Sequence, residues 1–145
     1  MGAVKLPDGR IAVDTVIFIY FIEQNPEYHA RVRRLFEATA SGRRELVTSA
    51  LSLLEVLVVP YRAGNLALAD RYEALLTRSR GLRMVDIDRN VLRAAAQVRA
   101  AHGTRPPDAI QIATAALHRC AAFLTNDRGM PDAGVPVIQL KDLDF

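Results

Sequence analysis

The chain has 145 residues, 50% hydrophobic and 24% charged, with 8 Gly and 7 Pro; that balance excludes disorder and collagen-like repeats and suits one domain over residues 1–145. A single cysteine, Cys120, excludes an intramolecular disulfide and a cysteine-rich zinc site and favours a cytoplasmic setting. The formal charge is +3, from 19 basic and 16 acidic residues, which permits a polyanionic partner without demanding one.

Residues 1–9 form an N-terminal extension with no apolar core of the kind a secretory signal needs. Arg10–Val13 then reads as a strand, and Thr15–Ile22 as a largely buried helix. Pro26–Ala40 has helical spacing, with Val32, Leu35 and Phe36 inward and Arg31, Arg33 and Arg34 beside them. Leu46–Thr48 is a short strand, and Ser49 is placed to cap a helix reaching Tyr61. Gly64–Arg80 is amphipathic, its apolar side supplied by Leu66, Leu68, Tyr72, Leu75 and Leu76. Arg83–Asp86 is a third strand, followed by a helix capped at Asp88 and stopped by Gly103. Pro106-Pro107 starts a helix over about 108–119, because proline suits a first helical turn. Ala121–Leu124 and Pro136–Gln139 are the last strands. Strand–helix alternation of this kind predicts an α/β fold, a mostly parallel sheet covered on both faces. The apolar runs 15–22 and 46–61 are broken by Glu23 and Glu55 before about 18 clean positions accumulate, so no membrane span is expected.

Reactive groups in open parallel sheets collect where strands end at their carboxyl edge. Asp14 directly follows the first strand, Asp127 closely follows the fourth, and Asp108 lies in the first turn of the proline-started helix. Each also has a plain structural role: Asp14 as a helix cap, Asp108 as a partner of the helix dipole, Asp127 as part of the turn Asn-Asp-Arg-Gly. Glu55 is the only charged residue between Ala50 and Val59, on a helix expected to be mostly buried. A buried carboxylate needs a cation, a proton or solvent, so Glu55 either pairs with an arginine or meets a metal ion at a cleft floor. If the four acids converge, pairs about 4 Å apart repel by roughly 4 kcal/mol at an effective dielectric near 20. All the ligands offered are oxygen, so the fitting cation is Mg²⁺ or Mn²⁺, and the chemistry implied is phosphodiester hydrolysis.

Ala12-Val-Asp14-Thr15, the stretch from Thr48-Ser49 to Glu55, Pro107-Asp108-Ala109-Ile110-Gln-Ile-Ala-Thr-Ala and Leu124-Thr-Asn-Asp127, taken in order, resemble the motifs of PIN-domain ribonucleases, VapC-type toxins above all. The resemblance runs from about Ile11 to Leu143. It implies a three-layer α/β/α sandwich whose acids bind Mg²⁺ and cut single-stranded RNA. By the same resemblance Asp14 and Asp108 are the principal metal ligands and Glu55 completes their shell or holds a metal-bound water. Asp127 is the fourth acid, and Thr15, Thr125 and Asn126 are supporting polar groups. Such toxins dimerise and are silenced by a small antitoxin whose tail covers the cleft. Val16 departs from the pattern, since many relatives carry Asn or Ser two residues after the first Asp.

Two further enzyme classes fit less well. A phosphatase using Asp14 as nucleophile wants a second acid where Val16 stands, and a phosphoacceptor domain wants paired early acids and a late lysine, for which Lys141 alone is thin support. An RNA-processing nuclease outside a toxin–antitoxin pair and a non-catalytic RNA- or protein-binding scaffold remain as alternatives. His29, His102 and His118 have no metal-ligand spacing, and Cys120 reads as a small apolar filler. Arg31, Arg33, Arg34, Arg43 and Arg44 read as solvated, although arginine's planar fork suits an RNA backbone. With no Trp and 6% aromatics, binding led by the phosphate backbone is favoured over base stacking.

Overall fold

The strand Ile11–Val13 (β1) is buried along its whole length, because it has a parallel neighbour on each side and a helical layer on each face. Those neighbours are β2 (Leu46–Ser49), paired Ile11 to Leu46, and β4 (Ala122–Thr125), paired Ile11 to Ala122. With β3 (Leu82–Val85) beside β2 and β5 (Val137–Gln139) beside β4, the parallel sheet has the order β3-β2-β1-β4-β5. The coordinates are a computed structural model describing residues 4–144.

Period-two alternation sorts the strand side chains into two cores. Ile11, Val13, Leu46, Ala122 and Leu124 share one core with α1 (Thr15–Ile22), α2 (His29–Ala40), α3 (Leu51–Arg62) and α4 (Leu66–Arg78). Ala12, Val47 and Phe123 point the other way, onto Ile112 and Ala115 of α6 (Pro106–Leu117). A smaller cluster of Ala95, Ala109 and Ala113 joins α6 to α5 (Arg89–His102). The result is the expected three-layer α/β/α sandwich. No helix among the described residues is long and apolar enough to cross a membrane.

Several boundaries differ from the sequence reading, each for a local reason. The second helix begins at His29 rather than Pro26, because the Asn25 side chain accepts from the N–H groups of Glu27 and Tyr28 and holds a turn there. The fourth begins after Asn65, whose side chain accepts from Leu68 N–H. Ser49 is not the cap of α3; it ends β2, and its hydroxyl accepts from Leu51 N–H from one position further out. Asp88 and Gly103 do bound α5, the first by accepting from Val91 N–H and the second with φ +68°. The helix α6 runs two residues earlier than the 108–119 reading, from Pro106 to Leu117.

Two burial expectations fail. Leu66 is exposed rather than part of the inner face of α4, and α3 is not buried nearly all round. Leu54, Val58 and Tyr61 are exposed on α3 at i, i+4 and i+7, an apolar stripe along one side of the helix. The extension is tied down: Val4 bridges Leu143 in parallel, and the Arg44 guanidinium donates to the carbonyls of Pro7 and Gly9. Residues 1–3 lie outside the described residues.

Candidate active site at the carboxyl edge

The chain runs from β1 outward through β2 and β3, then crosses back to place β4 on the other side of β1. The carboxyl ends of β1 and β4 therefore border the point where strand order reverses, the usual place for a binding crevice in such sheets. Asp14 is the first residue past β1, and its N–H donates to Leu124 O at 2.9 Å. Its Oδ1 accepts from Thr15 N–H at 2.8 Å, which makes it the cap of α1. Its Oδ2 accepts from the Thr125 hydroxyl, at the end of β4, at 2.7 Å. The capping role and the site role are thus one geometry, with both oxygens held.

Burial raises the Asp14 carboxyl above its ordinary pKa, more than the hydrogen bonds from Thr125 and Thr15 lower it. The charges of Glu55 and Asp108 push in the same direction as burial. Glu55 on α3 and Asp108 on α6 thus both bear on the Asp14 carboxyl at the end of β1. Glu55 is half-buried, and among the described residues it pairs with no arginine. Its Oε1 accepts instead from the Thr15 hydroxyl at 2.6 Å. The salt-bridge alternative for Glu55 is overturned.

Asp108, in the first turn of α6, meets Arg105 Nη2 at 3.3 Å. The Arg105 side chain is 81% exposed, so that pair is a weak surface contact. Asp127 differs from the other three. Its Oδ1 accepts from Gly129 N–H at 2.8 Å, the turn role foreseen from Asn-Asp-Arg-Gly, and its own N–H donates to Thr125 Oγ1 at 2.9 Å. Asn126 does not reach the acids: its side chain donates to the Tyr20 hydroxyl and accepts from Lys141 N–H.

The sequence reading missed a buried polar group beneath the acids. Thr48, Ser52 and Gln111 are buried and hydrogen-bonded to one another or to Thr15 and Glu55. Spacing held a signal for two of them: Ser52 precedes Glu55 by one helical turn, and Gln111 follows Asp108 by one.

Among the described residues, no three carboxylates close on one point tightly enough to cage an ion. Mg²⁺ does not require such a cage, because it keeps several waters and is commonly held by one or two carboxylates. The donors at Asp14, Glu55 and Asp108 are all oxygen, and a cation would relieve the pressure on Asp14. The residues present fit that ion. A recess of about 470 Å³ lies elsewhere, at the amino edge of the sheet near Arg10, Arg43, Arg44 and Arg80. There Arg10 is engaged by Glu45 and His118 O, and Arg44 by backbone carbonyls, so these arginines serve the fold.

The family model of the PIN domain matches residues 11–136. The chain belongs to the PIN-domain family. No curated protein matches the sequence of this PIN domain. Among solved structures it is similar to a toxin–antitoxin complex from Klebsiella pneumoniae, with TM-score 0.67, 22% identity, 92% of this chain covered and 99% of that chain. It is also similar to VapBC2 from Rickettsia felis bound to a DNA fragment from the pair's promoter, with TM-score 0.69, 13% identity and coverage of 90% and 98%. A third likeness is to VapC20 of Mycobacterium tuberculosis, a toxin that cleaves the Sarcin-Ricin loop, with TM-score 0.63, 18% identity and coverage of 78% and 86%.

Proposed function

We propose that this PIN domain is a Mg²⁺-dependent endoribonuclease, Mn²⁺ serving as substitute, that hydrolyses single-stranded RNA as the toxin of a toxin–antitoxin pair. The observation that carries the reading is the Asp14 carboxyl: buried, anchored through both oxygens, and pressed by the charges of Glu55 and Asp108. A plain helix cap needs neither neighbour. The similar structures, toxin–antitoxin complexes and a toxin that cleaves the Sarcin-Ricin loop, support the choice of RNA and of an antitoxin partner.

In this reading Asp14, Asp108 and Glu55 would hold the ion, with Asp127 as the fourth acid of the cleft. The bound ion supplies an activated water and charge stabilisation at a phosphoryl oxygen. The Thr125 hydroxyl and Thr15 N–H fix the Asp14 carboxylate in place, so no side-chain reorganisation opposes binding there. Thr15 also turns its hydroxyl to Glu55 and thereby links the two acids. The proposed protein partners are a small antitoxin over the cleft and a second copy of the chain. The stripe of Leu54, Val58 and Tyr61 suits the second copy, since one helix face packed on itself about a twofold axis is self-complementary.

The test is cleavage of a mixed RNA pool with Mg²⁺ and with EDTA. Asp14→Asn and Asp108→Asn are each expected to abolish Mg²⁺-dependent cleavage while keeping the native circular-dichroism spectrum. Unchanged cleavage in both variants overturns the assignment; RNA retention without any cleavage by the wild type favours a scaffold.

A further inference from the structure

Three buried polar side chains from three different elements meet below the cleft where apolar ones would pack as well. Thr48 of β2, Ser52 of α3 and Gln111 of α6 are each at most 3% exposed. Thr48 Oγ1 lies 2.8 Å from Ser52 Oγ, and Ser52 Oγ lies 3.0 Å from Thr15 Oγ1, whose hydroxyl donates to Glu55 Oε1 at 2.6 Å. The Gln111 amide nitrogen sits against the same atoms: Ser52 Oγ at 3.0 Å, Thr15 Oγ1 at 3.3 Å and Glu55 Oε1 at 3.4 Å.

Proton counting gives this row a direction. An ionised carboxylate only accepts, so Thr15 gives its one hydrogen to Glu55 and must receive from Ser52. Ser52, having donated, receives from Gln111 and from Thr48, whose own hydrogen is divided between Ser52 and Val13 O at 3.1 Å. Turning the Gln111 amide over would set oxygen against oxygen at the 3.4 Å contact with Glu55. The nitrogen-inward orientation is therefore the one the carboxylate selects. Among the described residues, Oε1 of Glu55 collects these donors and Oε2 collects none.

We propose that Gln111, backed by Ser52, is a positioning residue: it fixes one oxygen of Glu55 so that the other is left for the metal site. The inference rests on the cleft's being a divalent-metal nuclease site. Stability alone does not account for the network, because well-packed apolar replacements of buried polar groups are often neutral or stabilising. Direct supports of a metal site typically contribute 10–100-fold in affinity or activity.

The test is Gln111→Leu, which keeps the bulk and removes the donors. Three quantities are read: the Mg²⁺ Kd obtained from the logarithmic rise of Tm with Mg²⁺ concentration, which needs no turnover, and kcat and KM on a short RNA. The expected result is an about tenfold higher Mg²⁺ requirement and an about tenfold lower kcat with KM unchanged. In a Glu55→Gln background the same substitution is expected to add nothing, since the charged oxygen that Gln111 positions for the metal is gone. Wild-type Mg²⁺ dependence and turnover in Gln111→Leu overturn the proposal, and so do effects that simply multiply with Glu55→Gln. If Gln111→Leu does not fold, Gln111→Met, more pliable in a core, takes its place in the same comparison. A wild type that neither responds to Mg²⁺ nor cuts RNA overturns the nuclease reading together with this one. A responsive, active wild type beside an unaffected Gln111 variant overturns the positioning role alone.

Discussion

Asp14 carries opposing demands. Its carboxylate caps α1 and binds Thr125, yet burial and two neighbouring acids raise its pKa. A carboxyl with a higher pKa in the folded state than in the unfolded one keeps its proton longer in the fold. Stability therefore falls as pH rises from the ordinary carboxyl value of 3.8 through the raised folded value. Without metal, then, ionised Asp14 opposes folding at neutral pH. Asp14→Asn, which keeps an acceptor for Thr15 N–H, is expected to stabilise the metal-free protein by about 1 kcal/mol, a few degrees in Tm. The same variant is expected to lose the Tm rise that millimolar Mg²⁺ gives the wild type. A scan from pH 4 to 8, with and without Mg²⁺, checks both, and equal Tm values for the two proteins at pH 7 without metal would contradict the argument. Cys120 offers an independent check of burial: its thiol is pushed up to about 11, chiefly by desolvation. Native protein at pH 7.5 is accordingly expected to resist iodoacetamide, and unfolded protein to react.

At the level of single elements, tight turns and exposed stripes give sharper predictions than helix content does. Gly81, just before β3, has φ +80°, and a Cβ there would lie 2.7 Å from both Thr39 Cγ2 and Thr39 O. Gly81→Ala is expected to lose at least about 2 kcal/mol, from left-handed strain and a clash with backbone. Gly42→Ala, at φ +82° but facing open space, is expected to lose only about 1 kcal/mol. Urea denaturation of the two variants separates the effects. On the face of α3 proposed to meet a second copy, Val58→Asp is expected to shift the protein toward monomer in sedimentation while changing monomer stability by no more than about 1 kcal/mol. Much of this level was legible beforehand. Asp88, Gly103 and the paired prolines marked helix ends because capping and φ are properties of single residues. The exposed side of α3 was not legible, since an apolar run reads the same whether a neighbouring helix or a second molecule covers it. Glu55 drew attention by being the lone charge in that run, yet Gln111, inside a quoted motif, suggested no role of its own, because its contacts are with residues far away in sequence. Asn126 was misplaced for the opposite reason: it adjoins Asp127 in the chain but turns to Tyr20 and Lys141 in space.

For the molecule as a whole, the sheet has a chemical polarity that its net charge of +3 conceals. Asp14, Glu55 and Asp108 gather at the carboxyl edge, whereas Arg10, Arg43, Arg44 and Arg80 ring the amino edge. In the proposed function a polyanionic substrate would approach the cleft against local repulsion, which a divalent ion would reduce. RNA binding is accordingly expected to weaken in EDTA at low salt and to lose part of that metal dependence as salt screens the acids, which filter binding across a salt series measures. The placement of β1 between β2 and β4 also has a bearing on synthesis. Asp14 emerges early, but the hydroxyl that anchors its second oxygen belongs to Thr125, and Leu124 supplies the acceptor for its N–H. A nascent chain lacking its final quarter has neither Leu124 nor Thr125, so the Asp14 carboxyl gains its full set of anchors only when translation is almost over.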